Sequence, residues 1–421
     1  MRSPQPDPVA SREFAASVVS RLRGAGHETY WAGGCVRDEL LGRMPADYDV
    51  ATSARPDAVR TVFGRRQTLA VGAAFGVITV LGPKAAGQVE VATFRADAAY
   101  TDGRHPAGVT FCSAREDAKR RDFTINGLFL DPVSGEVHDF VGGRDDLAAG
   151  IVRAIGVAAM RFGEDHLRML RAVRFTAFFD FVLEAETRRA IERMGHLVVS
   201  VSPERIAAEL RAMVSRTGRR RVLELLLDTG LAGEVLPEVA PRAGDSAGQR
   251  AWAVAAAVIG GLDEPVLPQA LATLAAADEP ATLGHITDRL RLSNQDSKAT
   301  GWLHAAIRAI GSASDLARRP WSHVQPWVAD PRAPLLADLL RARAGQGQGD
   351  AEAAAWFTAQ TERPQFEVDP PPLVTGSDLL AAGVPAGPAV GAALARVRML
   401  QLDGKISSRE EAISAVVGLG E

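Results

Sequence analysis

Residues 33–52, with the sequence GGCVRDELLGRMPADYDVAT, decide the fold of the N-terminal part of the chain. Two glycines follow an apolar stretch, a short helical segment comes next, and the stretch then reaches two aspartates, Asp47 and Asp49. This order predicts a strand, a tight turn, a helix and a second strand. Because residues two apart project from the same face of a strand, we expect the two aspartates to lie side by side.

A pair of neighbouring carboxylates has two interpretations. Like charges repel, so such a pair is tolerated where a cation lies between the carboxylates. Mg²⁺ prefers oxygen ligands and binds through one or two carboxylates together with substrate phosphates. The alternative is a solvated turn, because aspartates near proline are common in loops. Asp47 and Asp49 alone leave both possibilities open.

The Gly33-Gly34 turn adds a possible phosphate site. Glycines let a backbone approach a ligand closely, and the N–H groups that begin a helix bind anions. Arg37, in the first helical turn, is expected to reach a phosphate. The absence of a G-x-G-x-x-G motif from the sequence excludes a Rossmann-type dinucleotide site. Together with the carboxylates, this turn indicates a nucleoside triphosphate held with Mg²⁺.

Two later segments supply further polar groups. In the alternating strand at residues 88–93, Glu90 faces away from Val89 and Val91, which suits either a third acid of a site or an exposed strand face. Residues 119–126, KRRDFTIN, place two arginines and an aspartate beside a threonine and an asparagine. A solvated basic surface is the alternative for this second segment.

Composition limits the class of protein. The chain has 421 residues, a formal net charge of −3, and two cysteines that form no CxxC pattern. These features argue against a zinc site or a disulfide framework and fit a reducing compartment. Without a general basic surface, any nucleic-acid site must be a local patch. We expect a soluble cytoplasmic protein that has neither a membrane partner nor a protein partner.

The pattern of elements predicts an α+β fold. Strands and helices alternate up to about residue 155, and nearly everything after that is helical. A proline-rich stretch at 366–376 cannot continue a helix and is taken as a domain joint. The predicted domains are an α/β head, a helical neck, a helical body and a helical tail, at residues 1–155, 156–232, 233–365 and 366–421.

Several segments, taken in order, closely resemble the class II nucleotidyltransferases, which comprise the CCA-adding tRNA nucleotidyltransferases and the bacterial poly(A) polymerases. They are residues 33–52, 90–95, 100–111, 120–126, 142–155 and 163–175. Weaker similarity extends to the C-terminus at 372–394 and 403–412. Residues 235–365 match poorly and carry no HD-type phosphohydrolase motif. Gly127, where the family more often has alanine, is a small departure that affects no assigned role.

The resemblance implies roles for individual residues. Asp47 and Asp49 would hold two Mg²⁺ ions, and Glu90 would be the third catalytic acid. The nucleotide would be contacted chiefly through its phosphates and sugar by Gly34, Arg37 and Arg121. Asp122 and Asn126 would lie near the ribose. Independently of the resemblance, the composition of the first part of residues 100–128, which is rich in Gly, Asp and Pro, predicts a mobile loop.

The resemblance casts residues 163–175, GEDHLRMLRAVRF, as a reader of the nucleobase. Residues three apart are neighbours on a helix surface, so we expect Asp165 and Arg168 to lie together. Cytosine and adenine each present an amine donor beside a nitrogen acceptor. A carboxylate accepts and an arginine donates, so the pair would select CTP and ATP. Arg171 and Arg174 would serve the triphosphate or orient the helix, and the alternative for the motif is a surface salt bridge.

The predicted function is addition or repair of the 3′-terminal CCA of tRNA. A cluster of six arginines between Arg205 and Arg221 is the candidate for contacts to RNA phosphates, with a solvated helix face as the alternative. Rival functions are poly(A) synthesis, CC-only or A-only addition and, from another class, RNA binding without catalysis. The partners would be the tRNA 3′ end, CTP and ATP.

Overall fold

The computed structural model describes residues 6–97, 109–310 and 316–416. The chain divides into two compact units: residues 1–213 with 217–237, and residues 214–216 with 238–421. The predicted head and all of the predicted neck except residues 214–216 fall in the first unit, and all of the predicted body and tail except residues 233–237 fall in the second. The finer division into four domains stays a prediction.

The first part of the chain alternates helices and strands, as the sequence predicts. Its helices are α1 (Pro8–Gly24), α2 (Gly34–Leu40), α3 (Pro56–Phe63), α4 (Ala114–Lys119) and α5 (Gly143–Ala149). Its strands are β1 (Thr29–Ala32), β2 (Asp49–Thr52), β3 (Thr68–Leu69), β4 (Val77–Leu81), β5 (Gln88–Thr93), β6 (Arg95–Asp97), β7 (Val109–Phe111), β8 (Leu128–Leu130) and β9 (Val137–Asp139), followed by β10 (Ile151–Val152) and β11 (Val182–Leu183).

A mixed seven-stranded sheet with the order β3-β4-β5-β2-β1-β8-β9 organises this part. Strand β2 pairs antiparallel with β1 and parallel with β5, in a register that sets Asp49 opposite Glu90. Along β5 the residues alternate, so that Val89 and Val91 are buried while Glu90 is exposed. The predicted orientation of Glu90 and the α+β class are therefore confirmed.

Helices follow from residue 158 onward. In the first unit they are α6 (Ala158–Glu164), α7 (Leu167–Phe179), α8 (Ala185–Met194), α9 (Pro203–Val214), α10 (Arg219–Asp228) and α11 (Leu231–Val235). In the second unit they are α12 (Ser246–Gly260), α13 (Leu267–Leu274), α14 (Pro280–Arg289), α15 (Asn294–Ile310), α16 (Trp321–Val328), α17 (Ala333–Ala344), α18 (Ala351–Thr361), α19 (Gln365–Val368), α20 (Gly376–Ala381), α21 (Pro388–Leu402) and α22 (Arg409–Ser414).

The second unit contains two separate clusters of buried apolar residues. One extends from Val258 to Val368 and the other from Val374 to Val416. Between them, α19 ends and α20 begins on either side of prolines 370–372, so the predicted helix break is confirmed. Among the described residues, no helix has the length and apolar character that crossing a bilayer requires.

The segment at residues 163–175 differs from the prediction. It is not one helix, because α6 ends at Glu164, Asp165 is extended with φ −151° and ψ 105°, and α7 begins at Leu167. The expectation that Asp165 and Arg168 are neighbours on a single helix surface is therefore wrong. The Asp165 carboxylate instead accepts the backbone N–H of Leu167 at 3.1 Å, which satisfies one of the free donors at the start of α7.

Close packing at Gly143 holds the short 3₁₀ turn Thr124–Asn126 against α5. A Cβ atom at Gly143 would lie 2.1 Å from the Thr124 carbonyl oxygen. The Thr124 hydroxyl donates to the buried Asp146 carboxylate at 2.7 Å. Gly127 is confined as well, since its Cβ would lie 2.6 Å from Val141. Val141 therefore occupies the space that the alanine more usual in the family would need.

We expect Gly143→Ala to lower the free energy of unfolding by at least about 2 kcal/mol, because the methyl group must displace backbone atoms. Urea denaturation followed by circular dichroism measures this loss. Gly163→Ala is the matched control, because no heavy atom lies within 4 Å of a Cβ there. The control should be neutral or slightly stabilising in its helix. Equal stability of the two variants would contradict the packing argument.

Candidate active site

Three acids lie near one another at the start of β2. Strand β2 begins at Asp49, and Asp47 lies in the bend just before it rather than in the strand. Asp47, Asp49 and Glu90 are all exposed at the sheet surface. Behind them, the buried Cys35 thiol is directed at the Asp49 carbonyl oxygen, 3.7 Å away. The sequence therefore brings the three acids together, although Asp47 reaches its position from a bend.

Mutual repulsion makes these acids suitable for a cation. Protein atoms packed around the Asp49 carboxyl, together with the charges of Asp47 and Glu90, raise the pKa of Asp49 to about 6. A divalent cation would relieve this repulsion. Within the described residues, no three side chains of His, Cys, Asp or Glu form a ready-made metal cluster. The donor set thus fits Mg²⁺ that takes one or two carboxylates and completes its coordination with phosphates and water.

The glycine turn lies beside the acids and beside Arg121. Gly33 adopts φ +78°, a conformation that favours glycine, and a Cβ atom there would lie 2.7 Å from the Arg121 guanidinium. Gly34 then begins α2. Arg121 is held by Asp117 at 3.0 Å and by the Asn126 carbonyl at 3.3 Å. A half-buried guanidinium is therefore fixed directly at the turn.

Arg37 occupies a different environment from the one expected for a phosphate ligand at the surface. It is 7% exposed, and its guanidinium donates to Asp38 at 2.9 Å and to the Asn126 side-chain oxygen at 2.6 Å. The guanidinium also packs over the rings of Phe175 and Phe179 from α7. Burial lowers the pKa of Arg37. The geometry supports a positioning role, and contact with the nucleotide stays a prediction.

Asp122 joins the sheet region to α7. Its buried carboxylate accepts the Asn126 amide at 3.0 Å and the Arg171 guanidinium at 2.7 Å. Burial alone would raise the pKa of Asp122, but Arg171 and Asn126 outweigh it and lower the pKa to about 2. Since Asn126 also accepts from Arg37, one chain of hydrogen bonds runs from α2 through the 3₁₀ turn to α7.

The two residues expected to read the base are each held by another partner. Asp165 pairs with Arg205 of α9 at 2.7 Å. Arg168 pairs with Glu164 at 2.6 Å and donates to the carbonyl oxygens of Arg161 and Arg120. The surface salt bridge between Asp165 and Arg168, weighed as the alternative, is not formed. Both side chains are mostly buried, and each is held by an ion pair with another residue of the chain.

Sequence reasoning did not assign a supporting role to these residues, and it counted Arg205 among the candidates for contacts to RNA phosphates. Glu164 pairs with Arg168 and Arg205 with Asp165, and Glu209 of α9 accepts from Arg174 at 2.5 Å. One signal was available, because Glu209 falls on the apolar face of α9, four residues after Arg205, and is only 7% exposed. An acid on a buried helix face requires a cationic partner.

The predicted mobile loop and the arginine cluster are the remaining expected features. The predicted mobile loop in the first part of residues 100–128 falls on residues that lie, up to 108, outside the described part of the chain. In the arginine cluster, Arg205 pairs with Asp165, Arg220 with Glu224 and Arg221 with Asp180. The role of this cluster toward RNA stays a prediction.

Comparison with known families agrees with this geometry. Residues 29–153 match the family described as the poly A polymerase head domain. Residues 180–242 match the family described as a probable RNA and SrmB-binding site of polymerase A. The first unit thus contains a poly A polymerase head domain. Both matched regions contain residues of the hydrogen-bonded site, namely Asp122 in the first and Arg205 in the second.

Individual relatives match over about half of the chain. The CCA-adding enzyme of Lactobacillus gasseri is 44% identical over 222 residues, which are 52% of this chain and 54% of that protein. The CCA-adding enzyme of Geobacillus stearothermophilus is 41% identical over 218 residues, 52% of this chain and 53% of that protein. The chain thus spans about half the length of the curated relatives it matches.

Solved structures are similar over almost the whole chain. The Bacillus stearothermophilus CCA-adding enzyme in complex with CTP has a TM-score of 0.77 and 27% identity, covering 97% of this chain and 96% of that one. The Thermotoga maritima CCA-adding enzyme complexed with tRNA has a TM-score of 0.65 and 20% identity, covering 97% and 95%. The second likeness shows the fold alone.

We expect the buried Asp122 to make folding sensitive to acid. Because its pKa is lowered in the folded protein, its contribution of about 2 kcal/mol is present above the ordinary carboxyl pKa and is lost as the pH falls from about 4 to about 2. Denaturant titrations of wild type and Asp122→Asn at several pH values measure this. The wild-type advantage should shrink over that interval, and parallel curves would contradict the assignment.

Proposed function

We propose that this chain is a template-independent nucleotidyltransferase that adds or repairs the 3′-terminal CCA of tRNA, using CTP and ATP and releasing pyrophosphate. The observation that carries the proposal is that a carboxylate cluster and a fixed Asp165 and Arg168 occur in one compact unit, linked through Asp122. The named CCA-adding relatives, and the CTP complex of one structural relative, support it. A tRNA-processing protein of this kind would act in the cytoplasm.

The acids and the turn provide the transfer chemistry. Asp47 and Asp49 would hold Mg²⁺, with Glu90 beside them as the third acid. Bound Mg²⁺ would activate the 3′-hydroxyl and neutralise the charge on the departing pyrophosphate. Arg121, held at the Gly33-Gly34 turn, is placed to donate to a phosphate. No histidine base is needed.

The arrangement around α7 would allow the chain to select C and A. Asp165 offers only acceptors and Arg168 only donors, which complements the amine and ring nitrogen of cytosine or adenine. Uracil and guanine would leave mispaired groups, at about 1–3 kcal/mol each. Arg205 and Glu164 hold the two side chains in place, so the protein itself provides the template. Arg171 and Arg174, held by Asp122 and Glu209, would keep the helix oriented near the triphosphate.

The RNA would lie against local basic surface. The arginines between residues 205 and 221 include Arg211, Arg216 and Arg220, which are exposed. Exposed arginines that follow an RNA backbone bind phosphates and make affinity steeply dependent on salt. The predicted tail, residues 366–421, would contribute further tRNA contacts.

Poly(A) synthesis is the second candidate, because both matching families are described by that polymerase. The deciding experiment offers the protein tRNAs that end before CCA, after C and after CC, together with an unstructured oligonucleotide and each nucleoside triphosphate separately. Addition of C, C and A followed by arrest is the expected result. Long A tails on the oligonucleotide would support poly(A) synthesis, and no incorporation at all would leave RNA binding alone.

We expect Asp47→Ala to reduce nucleotide incorporation by about 1,000-fold or more while tRNA affinity stays within about twofold, because the residue serves transfer rather than RNA contact. Radiolabelled CTP incorporation and filter binding measure the two quantities. Glu136→Ala, at an exposed hairpin turn in the same unit, is the control. Undiminished turnover of Asp47→Ala would contradict the metal assignment.

We expect Asp165→Ala to lower the preference for CTP over UTP by about tenfold or more, because the repulsion between the Asp165 carboxylate and an acceptor of uracil is removed. Single-turnover kcat/KM values for each triphosphate measure it. Asp180→Ala, at the other end of α7, should keep the wild-type preference. Retained selectivity in Asp165→Ala would rule out the base-reading role.

A further inference from the structure

The residue between the two aspartates of the carboxylate segment points into the protein. Tyr48 is 3% exposed, and its ring lies 4.6 Å from the Trp31 ring at an angle of 52°. Alternation accounts for this, because Asp49 faces outward and the residue before it faces the core. Tyr48 is therefore the part of the segment that is anchored.

The Tyr48 hydroxyl is bound to a carboxylate behind the sheet. It donates to Glu39, in the last turn of α2, at 2.6 Å. The same Glu39 oxygen accepts from Arg12 of α1 at 2.8 Å, and the Arg12 guanidinium lies 5.2 Å from the Trp31 ring centre. The cluster Arg12–Glu39–Tyr48–Trp31, called here the tyrosine clamp, thus joins α1, α2, β1 and the start of β2.

The clamp holds residue 48, which precedes the first residue of β2 that pairs with a neighbouring strand. Asp47 lies in a bend before β2, whereas the strand pairing begins at Asp49. A rotation of residues 47–49 that separated the carboxylates would have to break the Tyr48–Glu39 hydrogen bond and withdraw a buried ring. The phenol is a short, charge-assisted donor, which is stronger than a neutral hydrogen bond.

We propose that Tyr48 is a positioning residue for the carboxylates that bind the divalent cation. The clamp fixes the orientation of residues 47–49 before the cation binds. The cation therefore loses no binding free energy to the ordering of Asp47 and Asp49. The role rests on the proposed function only for its catalytic consequence. Cation binding itself can be measured without any substrate.

Tyr48→Phe is the direct test, because it keeps the ring against Trp31 and removes only the hydroxyl. We expect the half-saturating Mn²⁺ concentration, read from the electron paramagnetic resonance signal of free Mn²⁺ without nucleotide, to rise about three- to tenfold. Glu39→Gln keeps an acceptor but loses the charge, and it should raise the value by less than Tyr48→Phe does. In a Glu39→Ala background, Tyr48→Phe should have no further effect, since the two residues act as one unit.

A control separates positioning from loss of stability. Thr187→Val removes a buried hydroxyl that accepts from the Ala154 N–H at 3.1 Å and donates to Glu184 at 2.8 Å, partners outside the clamp. It should lower the melting temperature without changing Mn²⁺ affinity. An equal shift in Thr187→Val, an unchanged value in Tyr48→Phe, or no Mn²⁺ binding by the wild type would each overturn the proposal.

Incorporation of CTP into tRNA lacking CCA provides the second measurement. At low Mg²⁺ we expect Tyr48→Phe to be slower than wild type, with recovery at high Mg²⁺ and an unchanged KM for tRNA. If the wild type adds no CCA while the Mn²⁺ shifts appear as expected, the proposed function fails and the positioning role stands. If the wild type is active and Tyr48→Phe depends on Mg²⁺ as the wild type does, only the positioning role fails.

Discussion

The buried carboxylate of Asp122 is the constraint on which the site depends. A charge removed from water costs several kcal/mol unless it is paired and fully hydrogen-bonded. Asp122 meets this requirement with Arg171 of α7 on one oxygen and with Asn126 and the Phe123 N–H on the other. Separation of α7 from the 3₁₀ turn would leave this charge unpaired. The helix that follows Asp165 is thereby held next to the 3₁₀ turn, whose Asn126 carbonyl accepts a hydrogen bond from Arg121.

A second layer of ion pairs fixes the groups that would meet the substrate. Arg205 forms an ion pair with Asp165, Glu164 with Arg168, and Glu209 with Arg174. Each pair uses one charged group to orient another, and none of them joins the two base-reading side chains to each other. The orientations of Arg168 and Asp165 are therefore set by one residue of α6 and one of α9, respectively. In the proposed mechanism, a donor and an acceptor held in this way would take the place of a complementary strand.

Much of this architecture follows from the sequence, and the limits have physical causes. Alternation placed Glu90 outside the core, and the order of glycines and aspartates predicted β1, α2 and β2. The break at Asp165 was missed because apolar residues at helical spacing continue across it, and periodicity does not register one extended residue. Arg37 was expected to reach a phosphate. Its burial by aromatic rings of α7 depends on contacts between residues distant in sequence, which a local pattern does not show. The partners Arg205 and Glu209 lie about 40 residues from the groups that they hold, so local patterns could not join them.

The central claim is that one site combines transfer chemistry with a protein surface that selects the base. A crystal structure of this chain with CTP and Mg²⁺ tests it most directly. The account predicts that the triphosphate lies over Asp47 and Asp49 and that the cytosine edge contacts Asp165 and Arg168, with Arg171 still on Asp122. A cytosine ring bound away from the start of α7, with its triphosphate still at the carboxylates, would contradict it.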